Sequence, residues 1–201
     1  MEDLVITTMD GAVIETYYSA QGKTAVILCH GKAFDRDSFV EYGDALAGQG
    51  YTVAIPNFRG YGKSTIGSLG ADAIEWDVLA VAGELTQRGH DVVPLGASRG
   101  GGGVLRAVAR DPQQFKAVMT WSTVMVDAGV AASLGEIPKL FVVSAQEMMR
   151  DQTLSVFEWA PEPKVLREIA GSRHAQNIWN GPDRQLLENV VGEFLAVVST
   201  D

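Results

Sequence analysis

Gly96-Ala97-Ser98-Arg99-Gly100 is a G-x-S-x-G pentapeptide, set between an apolar stretch, Val92–Leu95, and a helix-compatible one, Gly101–Arg110. Between a strand and a helix this pattern makes a sharp turn. The glycines let the backbone pass close to its neighbours, and the serine is pushed out over the sheet edge. A serine hydroxyl is a weak nucleophile, so it needs a base to take its proton, and the base needs an acid to orient it. A glycine-rich helix start would carry the same letters; the strand ahead of it favours Ser98 as a nucleophile. An oxyanion formed by its attack would need backbone N–H donors, one of them from the next residue, Arg99.

The chain has three histidines. His90, in the polar turn Arg88-Gly89-His90-Asp91-Val92, reads as solvated surface. His30 ends an apolar run before Gly31 and reads as a group that holds its loop by hydrogen bonds. His174 lies in "AGSRHAQN", a polar loop straight after the last predicted strand. Position favours His174 as the base, against the plainer alternative of a solvated loop histidine. A further stretch, Pro56–Thr65 ("PNFRGYGKST"), ends like a phosphate-binding loop. That motif needs a glycine five positions before Gly62 so that backbone amides can cradle phosphate. Asn57 stands there instead, so half the motif is missing.

These loops need a scaffold. Asp10-Gly11 is a hairpin signal between strands at Leu4–Thr8 and Ala12–Tyr18. Thr24–Cys29 is a continuous apolar run, the mark of a strand buried on both faces. Further strands are expected at Tyr51–Ile55, Val92–Leu95, Ala117–Trp121, Leu140–Val143 and Val165–Ile169. Helices are expected after Asp35 or Asp37 up to Gly48, near Ala71–Arg88, at Gly101–Arg110, at Thr153–Trp159, and from a cap at Asp183 to about Val198. Alternating strands and helices after a hairpin mean a mostly parallel twisted sheet with helices on both faces, an α/β three-layer sandwich. No linker or repeat divides the chain, so residues 1–201 are expected to form one domain.

Composition narrows the partners. The 201 residues carry a net charge of −9, which argues against nucleic acid or an anionic membrane surface. A lone cysteine, Cys29, gives no internal disulfide and no sign of an oxidising compartment. Met1–Gly11 lacks a basic start and an apolar core, and no apolar run reaches membrane-spanning length. A soluble, cytoplasmic protein is expected.

The motifs together resemble the α/β-hydrolase family over nearly the whole chain. "VILCHGKAF" resembles its His-Gly oxyanion loop, "PNFRGYGKS" its Asp-x-Arg-Gly-x-Gly-x-Ser loop with Asn57 in place of Asp, "LGASRGG" its nucleophile elbow, and "AGSRHAQ" the loop of its catalytic histidine. The resemblance implies a second oxyanion amide at Lys32 and an acid after the strand in "PKLFVVSAQEMM", where Glu147 stands at the usual aspartate position. Asp127, after the preceding strand, is the alternative acid, since some members use that place. The basic side chains of Lys32 and Arg99 read as solvated. The resemblance is closest to small, lid-poor members such as those like dienelactone hydrolase, whose nucleophile is cysteine. Only sixteen residues, Ser122 to Ile137, lie where caps are commonly inserted, so no cap domain is expected.

The expected function is therefore a serine hydrolase acting on a small-molecule ester or thioester through an acyl-enzyme. No cofactor and no metal is called for, and no nucleic acid or membrane partner. A non-catalytic binding or scaffold protein of the same fold is the alternative. A nucleotide-binding protein comes third.

Overall fold

The run Thr24–Cys29 is buried at every position, as a strand covered on both faces must be. It lies inside an eight-stranded sheet in the computed structural model, which describes residues 1–200. The strands are β1 (Glu2–Thr7), β2 (Val13–Ser19), β3 (Thr24–Cys29), β4 (Thr52–Pro56), β5 (Asp91–Ala97), β6 (Val118–Trp121), β7 (Lys139–Ser144) and β8 (Lys164–Ile169). Their order across the sheet is β1-β2-β4-β3-β5-β6-β7-β8. β1 and β2 form the expected antiparallel hairpin and β2 pairs antiparallel with β4. All pairings from β4 to β8 are parallel. This is the α/β-hydrolase architecture, without a cap.

The helices are α1 (Val40–Gly48), α2 (Glu75–Gln87), α3 (Arg99–Arg110), α4 (Ala128–Ala132), α5 (Arg150–Trp159), α6 (Gln176–Trp179) and α7 (Arg184–Ser199). One core unites Val78, Val81 and Leu85 of α2, Leu105 and Val108 of α3 and Val156 of α5 with one face of the sheet. The other face packs on Tyr42 and Leu46 of α1 and Leu187, Val191 and Leu195 of α7. None of the helices is long and apolar enough to cross a membrane, among the described residues.

Several expected boundaries move. The segment between β6 and β7 contains α4. α5 begins at Arg150 rather than Thr153. Asp35 does accept a hydrogen bond from the Asp37 N–H, but it caps a 3₁₀ turn, Arg36–Phe39, that leads into α1. Asp183 stands at the start of α7 with no capping bond from its side chain. α2 begins only at Glu75; ahead of it the Gly70 carbonyl is held by Arg59 and the Ala71 carbonyl by Arg99.

Arg59 explains much of the loop after β4. Its guanidinium is fully buried and bonds Asp77 of α2 at 2.8 Å and Asp10 of the hairpin turn at 2.9 Å and 3.0 Å. Its own N–H donates to Asp77 at 2.9 Å. The hydrogen bonds from Arg59 hold the Asp10 carboxyl well below the usual carboxylate range. One side chain thus ties hairpin, loop and helix together.

The same loop has no free phosphate cradle. The Lys63 N–H donates to Glu15 of β2 at 2.7 Å, and Ser64 Oγ donates to the Asn57 carbonyl at 2.8 Å. Asn57 gives its amide hydrogen to Glu15 Oε1 at 2.7 Å and takes the Arg36 N–H at 2.8 Å. An aspartate at 57 would set a second carboxylate against Glu15, which accounts for the asparagine.

Removing Arg59 strands two buried carboxylates. Arg59→Met is expected to lower the unfolding free energy by about 3–5 kcal/mol, read from urea denaturation at pH 7. A loss below about 1 kcal/mol would show that the network does not hold the hairpin to α2.

Candidate active site

β5 runs directly into Ser98, and α3 begins at the next residue. Ser98 has φ 52° and ψ −115°, a left-handed conformation that a side chain rarely adopts. The flanking glycines are there for space. A Cβ on Gly96 would stand 2.5 Å from the Gly100 carbonyl oxygen, and one on Gly100 would run into the carbonyls of Cys29 and His30. The turn closes only because these two residues lack side chains.

Three of the expected residues meet above this turn. Ser98 Oγ lies 2.9 Å from His174 Nε2, and His174 Nδ1 lies 2.6 Å from Glu147 Oε2. Glu147 is an acceptor, so Nδ1 carries the proton and Nε2 is left as an acceptor for the serine hydroxyl. The Glu147 side chain is 1% exposed and that of His174 is 35% exposed, so the carboxylate is sealed while the imidazole reaches solvent. Glu147 Oε1 is buried without a hydrogen-bond partner. Asp127 is not in this group: it stands exposed at the start of α4, and His174 Nδ1 is already taken by Glu147.

The loops that carry these groups are tied to one another. After β7, the Ala145 and Gln146 N–H groups donate to the Ile169 and Gly171 carbonyls at 2.8 Å and 2.9 Å, joining the Glu147 loop to the His174 loop. The peptides flanking His174 are each held by a buried hydroxyl. Ser144 Oγ, at the end of β7, donates to the Arg173 carbonyl at 2.6 Å. Ser122 Oγ, just past β6, accepts the Ala175 N–H at 2.9 Å. Sequence reasoning did not single out either serine. Their signal is faint: a hydroxyl at the carboxyl end of each of two neighbouring strands.

Gly31 abuts Ser98, since a Cβ there would lie 3.5 Å from Ser98 Cβ. Its carbonyl accepts from His30 Nδ1 at 2.9 Å and from the Phe34 N–H at 3.1 Å. In a trans peptide C=O and N–H point opposite ways, so pinning the Gly31 carbonyl turns the Lys32 N–H to the other side. The Phe58 N–H donates to His30 Nε2 at 3.2 Å, which leaves Nδ1 as the protonated nitrogen. Burial pushes the His30 imidazole below its ordinary pKa and keeps it neutral. His30 therefore holds its loop, as its position suggested. The Arg99 N–H belongs to the first turn of α3, where an amide has no acceptor within the helix.

The expectations for the Arg99 side chain and for His90 need correction, whereas the side chains of Lys32 and Cys29 stand as expected. The Arg99 guanidinium is not simply solvated: it donates to the Ala71 carbonyl at 2.8 Å and to Asp72 at 3.2 Å. Lys32 is exposed, with its carbonyl held by the Tyr61 hydroxyl at 2.8 Å. His90 is half-buried and lies 3.1 Å from the Tyr18 hydroxyl and 3.2 Å from the Gly22 carbonyl. It precedes β5, at the far end of the strand from Ser98. Cys29 is fully buried and burial pushes its thiol up, so it behaves as a small apolar residue.

Comparison with known proteins agrees with this architecture. A family model described as the alpha/beta hydrolase fold matches residues 24–178. Solved structures of similar shape include an α/β hydrolase, GrgF, from Penicillium sp. sh18. It is 15% identical, with a TM-score of 0.84 over 96% of this chain and 97% of that one. An esterase from Pyrococcus furiosus is 15% identical, with a TM-score of 0.81 over 97% and 90% of the two chains. A thermophilic esterase from Thermogutta terrifontis is 18% identical, with a TM-score of 0.76 and full coverage of both. At such identities the likeness is one of fold.

The glycine contacts predict a contrast between two substitutions. Gly100→Ala forces a methyl group against two backbone carbonyls and is expected to cost about 1–3 kcal/mol or more. Gly192→Ala, inside α7 with nothing within 4 Å of the added Cβ, is expected to gain up to about 1 kcal/mol in helix propensity. Equal thermal unfolding temperatures for the two variants would contradict this reading of the turn.

Proposed function

Because the chain belongs to the family of the alpha/beta hydrolase fold, we propose that it is a serine hydrolase cleaving a small ester or thioester through an acyl-enzyme. The observation that carries this reading is the unbroken hydrogen-bond chain from Glu147 through His174 to Ser98.

On this reading Ser98 Oγ attacks the acyl carbonyl carbon while His174 Nε2 takes its proton. Glu147 keeps the imidazole in the Nδ1–H tautomer and stabilises the imidazolium as it forms. The N–H groups of Arg99 and Lys32 stabilise the oxyanion. Collapse of the intermediate breaks the bond to the alcohol or thiol, which leaves with the proton from His174. Water then attacks the acyl-enzyme as His174 takes a proton from it, and Ser98 recovers its hydrogen when the acid departs. The whole chain acts as one hydrolase domain, and no step calls for a cofactor or a metal.

The surroundings of Ser98 suggest the size of the substrate. Between β6 and β7 the chain has room only for the five-residue helix α4. The recess beside Lys32, lined by Ala33, Phe34, Asp35 and Tyr61, is open and shallow. Met125 and the almost fully exposed Met148 offer a small adaptable apolar wall on the loops after β6 and β7. Each CH₂ left in water forgoes about 0.8 kcal/mol of binding, so a longer acyl chain gains little here.

A fluorophosphonate probe followed by mass mapping tests the nucleophile. Labelling is expected at Ser98 and is expected to vanish in Ser98→Ala and His174→Ala. A folded wild-type protein that refuses the probe would favour a non-catalytic binding role. Glu147→Gln is expected to lower kcat by roughly 10⁴-fold, whereas Asp127→Asn stays near wild type; the reverse ranking would move the acid. In a p-nitrophenyl ester series, kcat/KM should be highest for short acyl chains. A steady rise from C2 to C12 would refute the open-site reading.

A further inference from the structure

Gln176 is 2% exposed and lies two residues beyond His174, at the start of α6. Its carboxamide faces away from its own loop. Oε1 accepts the buried Gly31 N–H at 2.8 Å, and Nε2 donates to Ser38 Oγ at 2.6 Å. Ser38 Oγ in turn donates to the Asp35 carbonyl. One planar amide therefore fastens both ends of the segment Gly31–Ser38, and that segment carries Lys32.

We propose that Gln176 is a positioning residue for the oxyanion donor: it straps the Gly31–Ser38 loop so that the Lys32 N–H faces the carbonyl oxygen of the acyl group that Ser98 attacks. The inference rests on the acyl-transfer reading above. Gly31 has no side chain to restrict its dihedrals, so its two peptide groups must be held from outside. His30 and the Phe34 N–H hold the carbonyl on one side. Gln176 holds the N–H on the other, and with both fixed the Lys32 amide has one direction left. Without Gln176 the Gly31 N–H would be a buried, unpaired donor, which the chain relieves most readily by rotating that peptide.

The turn that places Gln176 is the turn that places His174. Ala175 has φ 51° and ψ −123°, and its N–H is held by Ser122 Oγ. The reversal at Ala175 sends residue 174 towards Ser98 and residue 176 towards the oxyanion loop. Base and oxyanion donor are thereby set by one segment, Arg173–Gln176.

The test uses the full chain with Gln176→Met, which keeps the length of the side chain and removes both hydrogen bonds, and Ser38→Ala, which removes only the far one. For Gln176→Met, kcat on a short p-nitrophenyl ester is expected to fall by roughly 10- to 100-fold, with KM changed less than about twofold. The inhibition constant of an alkyl boronic acid, which forms a tetrahedral adduct on serine, should rise by the same factor as kcat falls. Exchange of the Gly31 amide hydrogen should quicken by about tenfold or more. Ser38→Ala should move every readout the same way, by roughly 2- to 5-fold in kcat. An unchanged kcat in folded Gln176→Met would overturn the proposal, and so would a fall in kcat that leaves the boronic acid unaffected. If Gln176→Met does not fold, wild-type values of kcat and boronic acid inhibition in Ser38→Ala overturn it. A wild-type protein that neither labels nor turns over would sink the hydrolase reading instead, and Gly31 exchange would still decide whether the strap exists.

Discussion

The approach of α3 to the end of β3 is the contact on which the candidate site depends. Gly100 packs against the carbonyls of Cys29 and His30 at a distance that leaves no room for a methyl group. That contact pins Ser98 over the edge of the sheet and simultaneously brings the His30–Gly31 turn against it. The rest of α3 follows the same rule. Cβ atoms on Gly101, Gly102 and Gly103 would lie 2.7 Å from Thr123, Val124 and Ile74 respectively. Four successive glycines weaken a helix by up to about 1 kcal/mol each against alanine, and the close seat of the helix under the turn is the compensation.

Two histidines show how environment divides labour within one site. His30 is sealed, with its ring tilted 4.9 Å from that of Phe58 and edge-on 4.7 Å from that of Tyr61, and bonded through both ring nitrogens. It has no free lone pair with which to take a proton. His174 is one-third exposed, with a carboxylate on Nδ1 and a hydroxyl on Nε2. Only this second arrangement can cycle a proton. The difference arises from their loops: His30 ends a central strand beneath Phe58, whereas His174 projects from the loop beyond the edge strand β8.

Residue types and strand order made the layout of the sheet legible, because a parallel sheet writes itself as apolar runs separated by helical periods. β3 and β5 announce themselves in this way, and the G-x-S-x-G turn follows β5. What stayed hidden are contacts whose partners are far apart in sequence and chemically ordinary. Ser122, Ser144 and Gln176 are common polar residues, and their partners at Ala175, Arg173 and Gly31 are backbone groups that carry no sequence signal. Short helices such as α4 and α6 were missed for a related reason, since four or five residues hold no helical period. His90 looked solvated because its neighbours are polar; its partners Tyr18 and Gly22 come from another strand and its following turn.

Strain points to the same edge of the sheet. Among the described residues three non-glycines adopt a left-handed backbone, Ser98, Ser122 and Ala175, and they follow β5, follow β6 and sit in the loop after β8. Each costs of order 1–3 kcal/mol, and each is restrained by a bond to a neighbour in this group or to a strand end. The Ser98 N–H donates to the Trp121 carbonyl at 2.9 Å, the Ser122 N–H to Val142 at 2.8 Å, and the Ala175 N–H to Ser122 Oγ at 2.9 Å. Ser98 and Ser122 are therefore anchored on the next strand across the sheet, and Ala175 is anchored on Ser122. Two anchors run outward, from the β5 turn to β6 and from the β6 turn to β7, and the third runs back from the β8 loop to Ser122 after β6. Parallel strands end side by side at one edge, and here the groups at those ends, the Trp121 carbonyl for Ser98 and the Ser122 and Ser144 hydroxyls for His174, hold the turns from which the two side chains project.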